Sequence, residues 1–362
     1  MKITAALATG AEERLKLEEI DLMEPKADEV LIKIVASGVC HTDAEAMKGK
    51  GSPFPAVFGH EGAGIVEKVG ENVNTVKRGD HVVLSYSYCG ECENCLTGHQ
   101  NLCERTVELN FGGKMKDGTT RLHQHDSSLS NFFGQSSFAT YSIANKNNVV
   151  VVDKDVDIAL LGPLGCGIQT GSGTVLNSLK PEFGSSIAIF GAGAVGLSAV
   201  MAAKIIGCRT IIVVDLHESR LELARELGAT HALNGKEVDV VKEIKEITNG
   251  GAHYSIETTG AVPVVKQSIH ALRILGTVAI VGMSGDVTLN FIDDILMEGK
   301  KIVGTVQGDS VPQLLIPQLV KYYKEGKFPF DKLVKFYDFK DINKAFEDSK
   351  TGIAIKPIVR IS

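Results

Sequence analysis

Seven cysteines occur in this 362-residue chain, and four of them, Cys89, Cys92, Cys95 and Cys103, fall within fifteen residues at the spacing C-x2-C-x2-C-x7-C. Four thiolates this close can complete a tetrahedral shell around zinc, and a complete shell leaves no position for chemistry. Bacterial iron–sulfur proteins use C-x2-C-x2-C-x3-C followed by Pro. Here the last gap is seven residues and Glu104 follows, so zinc is the better fit. A second constellation is scattered: Cys40-His41-Thr42-Asp43, then Gly59-His60-Glu61-Gly62, then Cys166 within GPLGCGIQTGSG. Cys40, His60 and Cys166 would give thiolate, imidazole and thiolate, a three-ligand zinc site with a fourth position open to polarise a bound oxygen. By itself such a trio is weak, because a lone cysteine usually packs as a small hydrophobe. Cys208, at a helix end in GCRT, reads as packed. His123 and His125 in RLHQHD read as solvated loop, and His99 as part of the cysteine lobe's turn.

A third motif, Gly191-Ala-Gly193-Ala-Val195-Gly196, follows the apolar stretch SSIAIF and opens a helical pattern. Asp215 ends the next strand pattern, 19 residues after Gly196. In that context the glycines have separate uses. Gly191 permits a tight turn, Gly193 lets the backbone approach a pyrophosphate, and Gly196 lets helix and strand pack closely. The helix N-terminus offers free N–H groups to phosphates. Asp215 can accept from ribose hydroxyls and would repel a 2′-phosphate, which favours NAD over NADP.

Two kinds of texture must position these groups. The first half is β-rich and irregular: residues 28–36 (DEVLIKIVA) read as a strand, with more around Gly62–Val69 and His81–Ser85. From Ser185, strand and helix patterns alternate: SSIAIF, AVGLSAVMAAKIIG, TIIVVD, ESRLELARELG, VDVVKEIKEI, HYSIET, VPVVKQSIHAL and TVAIVG. That alternation predicts a parallel sheet covered on both faces. After about Gly308 come a helix (PQLLIPQLVKYYKEG), an aromatic stretch and a last strand (IAIKPIVRI), a tail able to rejoin the first half. Net charge is −6 with pI near 6.0, which gives no reason to expect a nucleic-acid partner. No apolar run approaches a membrane span, and the N-terminus lacks an export signal. The expectation is a cytoplasmic protein whose clustered thiols are reduced and bind metal.

GVCHTD, GHEGAGIVEKVG, the four-cysteine lobe, GCGIQTG, GAGAVG and Asp215 stand here in the order found in zinc-dependent medium-chain alcohol dehydrogenases, and the resemblance spans essentially the whole chain. LSYSYCGECENC, FGQSSFATY, LLGPLGCGIQTG and GKFPFDKLVKFY look most like the bacterial aryl-alcohol (benzyl alcohol) dehydrogenases. The resemblance implies an α/β protein: a GroES-like β-rich catalytic domain (residues 1–167 and 309–362) and a Rossmann doubly wound parallel-sheet cofactor domain (168–308), with zinc and nicotinamide meeting in a cleft between them. It also implies two zinc ions per chain, NAD, a small alcohol or aldehyde substrate, and a homotetramer or dimer. Aromatic primary alcohols are the expected substrates, with other primary alcohols (aliphatic, allylic or terpenoid) as the alternative. A zinc-free NADPH-linked enone reductase shares the fold, but the full set of cysteine and histidine ligands argues against it.

The resemblance also assigns roles. Cys40, His60 and Cys166 would hold the catalytic zinc, with Glu61 able to approach it during ligand exchange. Cys89, Cys92, Cys95 and Cys103 would hold the structural zinc. Asp43 would orient His60, and Thr42 would bond the substrate oxygen and start a proton relay. His41 and Lys356 match basic positions near the pyrophosphate, Arg220 matches one near the adenosine ribose, and Val195 and Val281 match cofactor contacts. Ser85, Tyr86, Phe138 and Met283 match the substrate pocket. Many relatives end the relay at a histidine three residues after the threonine, where this chain has Glu45. Either Glu45 relays protons with a raised pKa, or water does so and Glu45 is a solvated side chain.

Overall fold

The computed structural model describes residues 1–362 and divides into two compact units: Met1–Gly167 with Val311–Lys324 and Phe330–Ser362, and Ile168–Ser310 with Glu325–Pro329. The first unit begins with β1 (Lys2–Ala8), β2 (Lys16–Leu22), β3 (Glu29–Gly38), helix α1 (His41–Glu45), β4 (Ala56–Val57), β5 (Gly62–Val69) and β6 (His81–Leu84). Short helices α2 (Glu93–Leu96) and α3 (Thr106–Phe111) follow, then β7 (Leu122–Gln124), β8 (Ser127–Leu129), β9 (Tyr141–Asn145) and β10 (Val149–Val152). They form one sheet in the order β4-β1-β2-β7-β8 and much of a second, β10-β6-β5-β3, in which β9 also pairs with β3. Strand β3 is the hub. Its Val30, Ile32 and Ile34 are fully buried, as a β-branched alternation covered by neighbours on both edges requires.

The second unit holds α4 (Gly167–Gly173), β11 (Ser186–Phe190), α5 (Ala194–Ile206), β12 (Thr210–Asp215), α6 (Glu218–Leu227), β13 (His231–Asn234), α7 (Val240–Ile247), β14 (Ala252–Glu257), α8 (Val262–His270), β15 (Leu272–Ile280) and β16 (Lys301–Gly304). The six strands run parallel in the order β13-β12-β11-β14-β15-β16, a doubly wound Rossmann sheet whose order reverses between β11 and β14. Residues 186–190 are buried throughout, which is why this strand is a continuous apolar run rather than an alternation. Gly228 ends α6 with φ +127°, as its place after ESRLELAREL predicted. Asp239 caps α7, accepting from the Lys242 amide at 3.1 Å.

The chain then returns to the first unit through α9 (Pro312–Lys324), β17 (Val334–Asp338), α10 (Ile342–Thr351) and β18 (Lys356–Arg360). Strand β18 pairs antiparallel with the end of β3, Ile358 opposite Gly38, and this brings Lys356 beside the residues that follow β3. The nearby core is rich in aromatics: Phe58, Phe132 and Phe138 are fully buried, each worth about 1.5–3 kcal/mol of apolar burial. Elsewhere the buried Arg121 reaches from the turn before β7 to Glu29 on β3 (Nε–Oε2 2.9 Å) and to Asp117 (2.8 Å). No helix is long and apolar enough to cross a membrane.

Candidate active site and cofactor cradle

Cys40 leaves β3 and caps α1. Its backbone N–H donates to Asp43 Oδ2 at 3.2 Å, and its sulfur accepts from the Asp43 amide, so Cys-x-x-Asp here is a capping box. The same buried Asp43 carboxylate reaches the β4–β5 loop, where Oδ1 accepts from the Gly59 amide at 3.1 Å and bonds His60 Nδ1 at 2.9 Å. Gly59 takes φ +95°, and a Cβ there would strike the Phe138 backbone. Cys166 follows the one-turn helix Gly162–Gly165. These three local turns bring the sulfurs of Cys40 and Cys166, a ring nitrogen of His60 and a carboxylate oxygen of Glu61 within 4.8 Å of one another.

The donor set fits a zinc ion. His60 is fully buried, Nδ1 is held by Asp43, and Nε2 is buried without a hydrogen-bond partner, so its lone pair is free for a metal. The hydrogen bond to Cys166 pulls the Cys40 thiol well below the ordinary range, while the Cys166 thiol is pushed well up by Cys40 and by burial. Two sulfurs that compete for one proton can both ionise only beside a cation. Glu61 adds a carboxylate that burial presses up to about 7, opposed by Lys356. Lys356 Nζ sits 2.8 and 3.0 Å from the two Glu61 oxygens and 3.3 Å from Val39 O.

The four-cysteine cluster is a separate closed set. Cys89 and Cys95 sulfurs are 3.8 Å apart and those of Cys92 and Cys103 are 4.0 Å apart. Tetrahedral Zn–S bonds of about 2.3 Å require sulfurs about 3.8 Å apart, whereas a disulfide would need about 2.05 Å. Backbone amides of Glu91 and Cys92 donate to Cys89 Sγ, and those of Cys89 and Arg105 donate to Cys103 Sγ, so main-chain donors hold both sulfurs in place.

In the second unit the fingerprint turn fits a dinucleotide. Gly191 has φ +99°. A Cβ on Gly196 would overlap Gly191 O, whereas one on Gly193 would meet nothing within 4 Å, leaving backbone open to a phosphate. Asp215 ends β12, where Oδ2 accepts from the Ala192 amide at 2.7 Å and Oδ1 from Leu216 and His217 amides at 2.7 and 3.0 Å. Arg220 lies on α6 with its Nε buried and unpaired. Val195 stands in the first turn of α5, and Val281 follows β15, its amide bonded to Glu257 O at 2.9 Å.

Comparison with known proteins gives the family. Residues 26–154 match the alcohol dehydrogenase GroES-like domain and residues 194–321 the zinc-binding dehydrogenase family. A geraniol dehydrogenase of Castellaniella defragrans is 45% identical over 351 residues, covering 95% of this chain and 94% of that protein. The chain belongs to the zinc-dependent medium-chain alcohol dehydrogenases. Among solved structures, the benzyl alcohol dehydrogenase of Acinetobacter calcoaceticus is 48% identical with a TM-score of 0.97, covering 100% of both chains. A zinc-binding-domain alcohol dehydrogenase from Burkholderia ambifaria is 51% identical with a TM-score of 0.98, covering 100% of this chain and 99% of that one.

The remaining expected residues of this dehydrogenase lie in differing surroundings. Thr42 is close, with Oγ1 3.8 Å from Cys40 Sγ. His41 is exposed, 3.7 Å from Glu45. Glu45 is lowered to about 2 by hydrogen bonds from Lys48 and Lys50, which lie 2.5 and 3.0 Å away. That is opposite in direction to the raised pKa a relay base would need. Ser85 is buried with its hydroxyl on Gly165 O, next to Cys166. Tyr86 is buried against Tyr88, and Phe138 packs edge-on against Phe346. Met283, in the second unit, is 73% exposed. His125 is in a turn with φ +52°, whereas His123 is in strand β7 with Nε2 buried, not in a solvated loop.

The sequence reading missed three residues around His60. Phe133 stacks on the imidazole (centroids 4.6 Å apart, planes 30° apart), and Phe132 meets it edge-on at 5.6 Å. Phe133 has φ +53°, a costly conformation for a bulky side chain, held by its amide on Asn110 O. Gln135 donates to His60 O and Ser85 O at 3.0 and 3.1 Å and accepts from the Gly62 amide at 3.2 Å. Two adjacent phenylalanines before a Gly-Gln were the available signal.

Proposed function

We propose that this enzyme transfers a hydride between a primary alcohol and NAD, giving an aldehyde, with aromatic alcohols such as benzyl alcohol as the favoured substrates. The observation that carries this is the Cys40–His60–Cys166 donor set, in which His60 and Cys166 are buried, one imidazole nitrogen is free and phenylalanine rings pack on the imidazole. When bound, zinc would polarise the alcohol oxygen and lower its pKa, and NAD would accept the hydride. The chain's own residues prepare that event. Asp43 holds the proton on His60 Nδ1 and keeps Nε2 aimed at the metal position. Thr42 takes the substrate proton at Oγ1 and passes it on to water, since Glu45 is engaged by two lysines. Phe132 and Phe133 pack on the imidazole and exclude water from it, while small Ser85 leaves room for a ring. Glu61, held by Lys356, is placed to share the metal position when ligands exchange.

In this proposal residues 1–167 and 309–362 carry the chemistry and 168–308 bind the cofactor. Asp215 favours NAD over NADP through ribose hydroxyls. The four-cysteine lobe holds a second, structural zinc. A homo-oligomer is supported by β16, an edge strand carrying exposed Ile302, and by exposed Phe291, Leu296 and Met297 nearby in sequence. The 45% identical geraniol dehydrogenase supports a second reading, an allylic terpenoid alcohol as substrate. Initial rates of NADH formation across benzyl alcohol, geraniol and ethanol decide the matter. The aryl reading predicts the highest kcat/KM for benzyl alcohol, a higher value for geraniol selects the terpenoid reading, and ethanol in first place removes both.

A further inference from the structure

Glu257, the last residue of β14, is fully buried and has no cationic partner. A buried carboxylate without a counter-ion is expensive unless its oxygens are fully hydrogen-bonded. Here the donors come from the loop that follows. Oε1 accepts from the Thr259 amide at 2.7 Å, the Thr259 hydroxyl at 2.5 Å and the Gly260 amide at 3.1 Å, and Oε2 accepts from the Gly260 amide at 3.1 Å. Its main-chain carbonyl accepts from Val281 and Gly282 amides at 2.9 and 3.1 Å, so one residue fastens the loops after both β14 and β15. The loops lie in contact: a Cβ on Gly282 would strike Gly260 N and Glu257 Oε2, and one on Gly260 would strike the Met283 backbone. Thr258 ties the same loop to the end of β11, its amide and hydroxyl donating to Phe190 O at 3.0 and 2.7 Å.

Topology gives this arrangement a use. Ligands of doubly wound sheets lie outside the carboxyl ends of the strands, where the order reverses, here between β11 and β14. Asp215, at the end of β12, places the adenosine half on one side of the fingerprint turn. The half beyond the pyrophosphate must then cross over β14 and β15, onto the loops that Glu257 fastens. We propose that Glu257 is a positioning residue for the nicotinamide half of the cofactor, presetting the backbone of residues 258–261 and 281–283. The inference rests on the dinucleotide-binding reading above.

The test compares two probes on the zinc-loaded full chain, NADH and ADP, the latter reaching only the adenosine and pyrophosphate side. In calorimetric titrations Glu257→Ala should weaken NADH at least tenfold and ADP less than twofold. Glu257→Gln, which keeps a carbonyl acceptor, should hold NADH within about threefold of wild type. Equal weakening of both probes would reduce Glu257 to a structural residue, and unchanged NADH affinity would overturn the proposal outright. Should the alanine variant fail to fold, Thr259→Val removes one donor to the carboxylate and leaves it buried. A selective loss of NADH supports the proposal, and none refutes it. If wild type itself binds neither probe, the cofactor reading falls and takes this inference with it. Wild-type binding with no selective loss defeats the inference alone.

Discussion

Asp43→Asn should loosen the catalytic metal and leave the structural one in place. The wild-type carboxylate is fully buried and accepts three hydrogen bonds, from His60 Nδ1 at 2.9 Å, the Gly59 amide at 3.1 Å and the Cys40 amide at 3.2 Å. Asparagine keeps one acceptor oxygen and turns the other position into a donor. If the oxygen stays with His60 and Gly59, the new NH2 faces the Cys40 amide, donor against donor. If it turns to Cys40, His60 loses the acceptor that keeps its proton on Nδ1. Either way a metal-bearing residue loses a charged acceptor, worth about 1.5–3 kcal/mol. Orienting partners of metal ligands cost roughly 10–100-fold in affinity when removed, or about 1.4–2.7 kcal/mol, so the two estimates agree. Competition against a chromogenic chelator should show one of two zinc ions released at roughly 10–100-fold lower chelator concentration. Two equally retained ions, or both weakened together, would refute the reasoning.

Cys103→Ser should lose the structural zinc and melt earlier, while turnover per folded molecule stays within about twofold, because a complete thiolate shell has no open position. A variant that melts normally but fails to turn over would reverse that division. Glu45→Ala should leave the pH–rate profile between pH 5 and 9 unchanged: Lys48 and Lys50 hold the carboxylate's pKa to about 2, so it stays ionised throughout that range. A displaced limb in the profile would restore Glu45 to the relay. Gly193→Val should raise the NADH dissociation constant at least tenfold with a melting temperature near wild type. A Cβ there meets nothing within 4 Å beyond its chain neighbours and points into the space proposed for the pyrophosphate, and an equal fall in stability would mean that the glycine serves packing instead.

The parts legible in the sequence were those with local signatures. Residues 186–190, 194–206 and 210–215 form the expected strand, helix and strand because apolar runs, a glycine turn and an ending Asp follow one another within thirty residues. The Cys-x-x-Cys spacing fixed the closed cluster in the same way. Cys40-x-x-Asp43 was legible as chemistry but not as the capping box that sets its geometry. What stayed hidden depends on long-range pairing. Lys356 reaches Glu61 only because β18 joins β3 across about 300 residues of chain, and no local pattern records that register. The stack of Phe133 on His60 requires a strained turn that a phenylalanine pair does not announce. Glu257 in ETTG reads as a strand end with a polar turn, and its burial becomes visible only when β15 packs alongside. Strand β16 (KIVG) and β13 (HALN) are four residues each, too short for a period to show.

The central claim is that Cys40, His60 and Cys166 hold the metal that activates the alcohol, while the four-cysteine lobe only braces the chain. The direct test is turnover of benzyl alcohol with NAD by the His60→Ala variant, with zinc counted in the same sample. The expected result is one zinc ion per chain, a folded protein, and a rate below about one-thousandth of wild type, the several kcal/mol that an activating metal contributes. A His60→Ala enzyme that turns over at a wild-type rate, or one that keeps two zinc ions, would contradict it.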